Sequence, residues 1–127
     1  MSDKREKALA VMKQMLPPDI AKGVETPPTS GFGAELNGLA MTMAFEPLWA
    51  RDGIDLRTRS LVNLAILITL RAHSEIEFHA PAAIRNGATV QELEEVVYHS
   101  AGYAGFPAAA SAREVMIPAL QKAGMID

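Results

Sequence analysis

The sequence predicts an all-α fold, a helical domain of about six helices, and three features carry that expectation. Apolar residues recur at the i, i+3, i+4, i+7 spacing of an amphipathic helix, as in Leu36, Leu39, Ala40 and Met43. Helix-start and helix-stop residues punctuate the chain: "TVQE" (Thr89 to Glu92) matches a capping box, and Asn86-Gly87 suits a left-handed C-terminal cap. The strand-like run "LAILITL" (Leu64 to Leu70) follows a helix start, "DLRTRS", and no strand partner for it is visible elsewhere.

Each element follows in order. Ser2 or Asp3 caps a first helix that runs to about Met15, because Pro17 and Pro18 cannot continue it. Asp19 caps a short turn, and "KGVETPPTSGFG" (Lys22 to Gly33) reads as a loop or arm. A helix from Ala34 to Phe45 buries Leu36, Leu39, Ala40 and Met43, and Pro47 ends or re-aims it. Asp55 caps the next helix, which carries Arg57, Thr58 and Arg59 in its first turns and then becomes apolar nearly all round, as a central buried helix would. Ser74 caps a helix that ends at Asn86 and Gly87. Thr89 starts another whose apolar stripe is Leu93, Val96, Val97, Ala101 and Ala104. Pro107 sits in the first turn of the last helix, where its missing N–H costs nothing, and Pro118 kinks or breaks that helix near Ile117.

Composition bounds the function. With 127 residues, 49% hydrophobic and 21% charged, the chain reads as one soluble globular domain, residues 1–127, in which 1–33 form an N-terminal helix and arm and 34–127 the core. A net charge of −3 gives nucleic acid no basic surface to grip. The absence of cysteine removes thiol redox chemistry, disulfides and thiolate metal ligands together. The N-terminus "MSDKREKALA" is charged where a signal peptide would be apolar, and "LVNLAILITL" is too short to span a bilayer, so a cytoplasmic location with no membrane partner is the expectation.

Two lines of polar residues carry candidate chemistry. Glu75 and His79 lie one helical turn apart, so the carboxylate can orient the imidazole. Glu95, His99 and Tyr103 line up at i, i+4, i+8 on the following helix. A short turn joining the two helices predicts antiparallel neighbours on which His79 and His99 converge. The rival readings are a solvated Glu/His pair and a satisfied core histidine. A metal site of Glu75, His79 and His99 is a third, although no HExxH-like signature accompanies it. Arg57 and Arg59, with Arg51, Arg71 and Arg85, suit bidentate binding of carboxylates, or pair with Asp52, Asp55 or a neighbouring subunit. Phe45 and Trp49 belong to the core or to an interface before they belong to a ligand.

From about Glu46 to Gln121 the order of motifs is D-x-R-T-R-S, an apolar helix, E-x-x-x-H, N-G-x-T-x-x-E and H-x-x-x-Y-A-G-x-P-A. It resembles the carboxymuconolactone decarboxylase family, which shares a helical superfamily with the alkylhydroperoxidase AhpD. In the peroxidase branch the related helix carries C-x-x-C-x-x-x-H; here Glu75 stands at the second cysteine position and Ala72 at the first, which excludes thiol peroxidase chemistry. The resemblance implies the Cys-less branch: a cofactor-free decarboxylase of the 4-carboxymuconolactone decarboxylase type, acting on a small carboxylated lactone in the β-ketoadipate pathway of aromatic-compound breakdown. It further implies Glu75, His79 and His99 as catalytic residues, Arg57, Arg59 and Tyr103 as substrate-binding residues, no metal, and a homo-oligomer, trimer or hexamer, with active sites near subunit contacts. A differently specific or non-catalytic oligomer binding a small anion or a metal is the alternative. The chain departs from the family pattern at "LRAHSEI", where decarboxylases of this type commonly read "LGREEEL", and at Arg113 and Glu114, where similar proteins tend to be apolar or carry histidine.

Overall fold

The computed structural model describes residues 2–127, all helices and connections, with no strand among them. They fall into two compact units, one ending at Ile54 and the other Asp55–Asp127.

In the first unit, α1 (Asp3–Met15) starts as its sequence predicts: the Ser2 hydroxyl accepts the Arg5 N–H at 3.2 Å. The arm is shorter than expected, because α2 (Pro18–Glu25) takes up its first four residues, "KGVE", and has Asp19 inside its first turn. A short α3 (Leu36–Ala40) then passes into a π-helical segment, Met41–Trp49. Pro47, expected to end or re-aim the helix, lies inside this segment, where the helix changes from α to π. The ladder widens to i→i+5 bonds such as Ala50 N–H to Phe45 C=O at 3.0 Å. The wider turn keeps Met41, Phe45 and Trp49 on one side, all buried, and this side packs on α1, where Ala8, Met12 and Met15 are fully covered. The predicted stripe is therefore inverted: Leu36, Leu39 and Met43 are exposed. Arg5 pairs with Glu46 at 3.1 Å and Lys7 with Asp52, joining α1 to the π-helical segment and the turn beyond it.

The second unit holds α4 (Leu56–Leu70), α5 (His73–Arg85), α6 (Val90–Tyr103) and α7 (Phe106–Lys122). Its core is Leu64 and Ile68 of α4, Ile76, Ala80 and Ala83 of α5, Leu93 of α6, and Ala108, Ala112, Met116 and Leu120 of α7, together with Ala88. The α7 residues recur every fourth position, and their small members let the neighbouring helices approach closely. Both α4 and α7 pack on α5 and on α6, whereas α5 and α6 are not principal neighbours. The expected antiparallel α5–α6 pair is thus replaced by a diagonal one, because both helices turn their apolar sides toward α4 and α7.

The helix ends follow local chemistry with two exceptions. Asp55 Oδ1 accepts the Thr58 N–H at 2.7 Å, and hydrogen bonding from the Thr58 side chain, with this backbone bond, holds the Asp55 carboxyl below its ordinary value. Gly87 takes φ 106° after α5, a conformation that costs glycine nothing. The capping box is complete: Glu92 N–H donates to Thr89 Oγ1 at 3.1 Å, and Thr89 N–H donates to Glu92 Oε1 at 2.9 Å. Thr89→Ala is expected to cost about 0.5–2 kcal/mol, read as a lower urea midpoint with an unchanged slope. As a first exception, α5 begins at His73 after Ala72, with no side-chain cap, so Ser74 lies within the first turn. Secondly, α7 runs through Pro118 to Lys122. The carbonyl of Glu114, which Pro118 cannot satisfy, belongs to an exposed residue open to water, while Met116 and Leu120 anchor the helix on both sides of it. Pro81 sits inside α5 in the same way, four residues after exposed Glu77.

Helix α4 is less enclosed than its composition suggested. Ser60, Leu64 and Ile68 are buried, but Val62, Ile66 and Leu70, at i, i+4, i+8, are half or more exposed. No helix among the described residues is long and apolar enough to cross a membrane.

Candidate functional site

The first pair of candidates lies on α5. His79 Nε2 stands 3.5 Å from Glu75 Oε2, one turn apart as the spacing requires. The imidazole is largely covered, with 14% of its side chain exposed, whereas Glu75 is 58% exposed. The hydrogen bond from His79 holds the Glu75 carboxyl below its ordinary value against the opposing effect of partial burial, and the His79 charge adds to the lowering. With its folded value depressed, Glu75 contributes stability above the ordinary glutamate value of about 4.3, and that contribution is lost as pH falls through the lower folded value. At neutral pH the carboxylate is ionised, and it orients a covered imidazole able to hold or deliver a proton.

The second line lies on α6. His99 stacks on Tyr103 with ring centroids 5.1 Å apart and 23° between planes, and Tyr103 is 87% exposed. His99 faces an open groove of about 500 Å³ between α4 and α6, whose walls include Leu61, Ala65, Glu92, Glu95 and Val96. His79 is not in those walls, in keeping with the diagonal placement of α5 and α6. Among the described residues no group of three or more His, Cys, Asp and Glu is gathered to hold a metal ion.

The two arginines at the start of α4 have different surroundings. Arg57 forks onto Glu92: its Nε donates to Oε1 at 3.1 Å, and a guanidinium N–H group pairs with Oε2. Glu92 thereby closes the α6 capping box and ties the start of α4 to the start of α6. Arg59 is half-buried, and its Nε is buried with no hydrogen-bond partner among the described residues. A buried donor of a charged group left without a partner is costly, and a carboxylate is its natural complement. Beside Arg59, Ser60 Oγ accepts from Asn86 Nδ2 at 3.0 Å in a buried bond between α4 and the end of α5. Sequence reading took Ser60 and Asn86 as parts of two motifs and missed that bond.

The model of the carboxymuconolactone decarboxylase family matches residues 34–117. The chain is 36% identical over 81 residues to a 4-carboxymuconolactone decarboxylase of Acinetobacter baylyi, covering 64% of this chain and 60% of that protein. It is 41% identical over 64 residues to a nitrosuccinic acid decarboxylase of Metarhizium robertsii, covering 50% of this chain and 45% of that one. The chain thus spans about half to three fifths of the length of these curated relatives.

Proposed function

The chain belongs to the carboxymuconolactone decarboxylase family, and from that premise we propose that it is a cofactor-free carboxy-lyase acting on a small dicarboxylic acid, with a carboxylated lactone of aromatic-compound breakdown as the first candidate substrate. The observation that carries the reading is the covered His79 imidazole held at 3.5 Å by an ionised Glu75.

The names of the two relatives identify a common chemistry. Carboxymuconolactone and nitrosuccinic acid each bear a carboxylate placed so that its loss leaves an electron pair stabilised by an acceptor, the unsaturated lactone in one and the nitro group in the other. Each also keeps a second carboxylate. The bond from carbon to the departing carboxylate breaks, CO2 leaves, the electron pair moves onto acceptor oxygens, and a proton then returns to carbon. A protein needs three things for this: a cation for the remaining carboxylate, a donor toward the acceptor oxygens, and a proton source.

Arg59 fits the first task, since its Nε lacks a partner while Arg57 is engaged with Glu92. His79, oriented by Glu75, fits the second and third. His99, on the wall of the α6 groove, is the second candidate, and Tyr103 stacks on it. The exposed apolar side of α4, Val62, Ile66 and Leu70, supports assembly of copies through that helix.

The test is CO2 release by the purified chain from 4-carboxymuconolactone, nitrosuccinate and succinate, with and without EDTA. The expected result is turnover of at least one of the first two, none of succinate, which lacks the acceptor, and no effect of the chelator. Thermal stabilisation by the dicarboxylates without any release of CO2 would replace the lyase with a binding protein for small anions.

A further inference from the structure

A second cavity of about 240 Å³ opens between α6 and α7, and none of Glu75, His79, Arg59 or His99 lines it. Its floor consists of core side chains, Leu93 and Val97 of α6 with Met116 and Leu120 of α7, so the groove cuts down to the centre of the Asp55–Asp127 unit. The charged groups on its lining are Arg113 and Glu94. Both are exposed and they do not form an ion pair with each other.

We propose that this groove is a binding site for a small amphipathic monocarboxylate, with the apolar body on Leu93, Val97, Met116 and Leu120 and the carboxylate on the Arg113 guanidinium. Three properties define that ligand class. The apolar floor rewards burial of hydrocarbon at about 25 cal/mol per Å2. The weakly hydrated, forked guanidinium of Arg113 matches a carboxylate better than Glu94 matches an ammonium group, since the fork binds both oxygens at once. Glu94 sets the charge: one cation and one anion on the lining accommodate a single negative charge and repel a second, so the dicarboxylates suited to the α5 site are disfavoured here. The size, below the roughly 300–1,000 Å3 usual for drug-sized ligands, restricts the body to one ring or a medium-length chain.

The experiment titrates the 127-residue chain, with its methionine methyl groups 13C-labelled, with octanoate, octanol, octylammonium and succinate. Octanoate is expected to move the Met116 methyl resonance in a saturable way and to bind about tenfold more weakly to Arg113→Gln. Octanol is expected to bind both forms equally and weakly, and succinate to leave Met116 unmoved. Arg113→Lys, which keeps the charge, should recover part of the affinity. Circular dichroism of each variant shows whether the fold is retained; should Arg113→Gln unfold, the octanoate-to-octanol ratio on the wild-type chain still decides. Equal octanoate binding by a folded Arg113→Gln, octanol as tight as octanoate, or tighter octylammonium would overturn the proposal.

Discussion

His79→Gln is expected to lower the turnover number for decarboxylation by about 10²–10⁴-fold while the urea midpoint stays close to that of the wild type. Glutamine keeps the polar reach of the side chain but cannot carry a proton in the neutral range, so the loss falls on the step that returns a proton to carbon. Glu75→Gln acts through His79 and gives a smaller loss. The amide preserves a hydrogen-bond partner for Nε2 but removes the carboxylate charge beside the imidazole. The readout is initial rates of CO2 release with both variants and the wild type over a pH series. An orienting role for Glu75 moves the pH profile of the rate in Glu75→Gln, whereas a merely structural role leaves the profile in place and shifts only stability.

The largest effect on stability is expected at Leu64. Its side chain is fully buried in α4, among Ile68, Ile76 and the α7 stripe, and Leu64→Ala removes three carbon atoms from a packed interior. The expected cost is about 2–5 kcal/mol, the sum of lost transfer free energy and an unfilled cavity. Glu114→Ala, on the exposed side of α7, should stay within about 0.5 kcal/mol of the wild type. Urea unfolding followed by circular dichroism measures both. Comparable midpoints for the two variants would show that the four-helix core is not arranged as described.

What the sequence made legible was local. Ser2, Asp55, Gly87 and the Thr89/Glu92 box sit where the residue types require them, because a cap depends on three or four neighbouring residues. The Glu75–His79 pair is equally local, one turn of one helix. The proline positions were less legible. Pro47 read as ending or re-aiming its helix and Pro118 as kinking or breaking its own, and both lie inside helices: a widened ladder accommodates one, and core anchors on either side of a solvent-facing carbonyl accommodate the other. No local signal reports which side of a helix the tertiary core will cover, so Leu36, Leu39 and Met43 came out exposed while Met41, Phe45 and Trp49 are buried.

The candidate site divides in the same way. That α5 and α6 lie diagonally is a property of four helices together, and it separates His79 from the α6 groove that the spacing alone allowed both histidines to share. The difference between Arg57 and Arg59 rests on Glu92, 35 residues from Arg57 in the chain, and the Ser60–Asn86 bond spans 26 residues. Both are invisible to helical spacing. The family pattern grouped the candidates as one stretch of chain, while three-dimensional packing sorts them into a covered dyad on α5 and an exposed stack on α6.

The central claim is that the Glu75–His79 pair, not the His99–Tyr103 stack, stands at the reacting end. Side-by-side CO2 release from 4-carboxymuconolactone and nitrosuccinate by the wild type, His79→Gln and His99→Gln tests it most directly. Near-complete loss of turnover in His79→Gln and retention of most of it in His99→Gln are expected. Wild-type rates in a folded His79→Gln, or loss confined to His99→Gln, would contradict it.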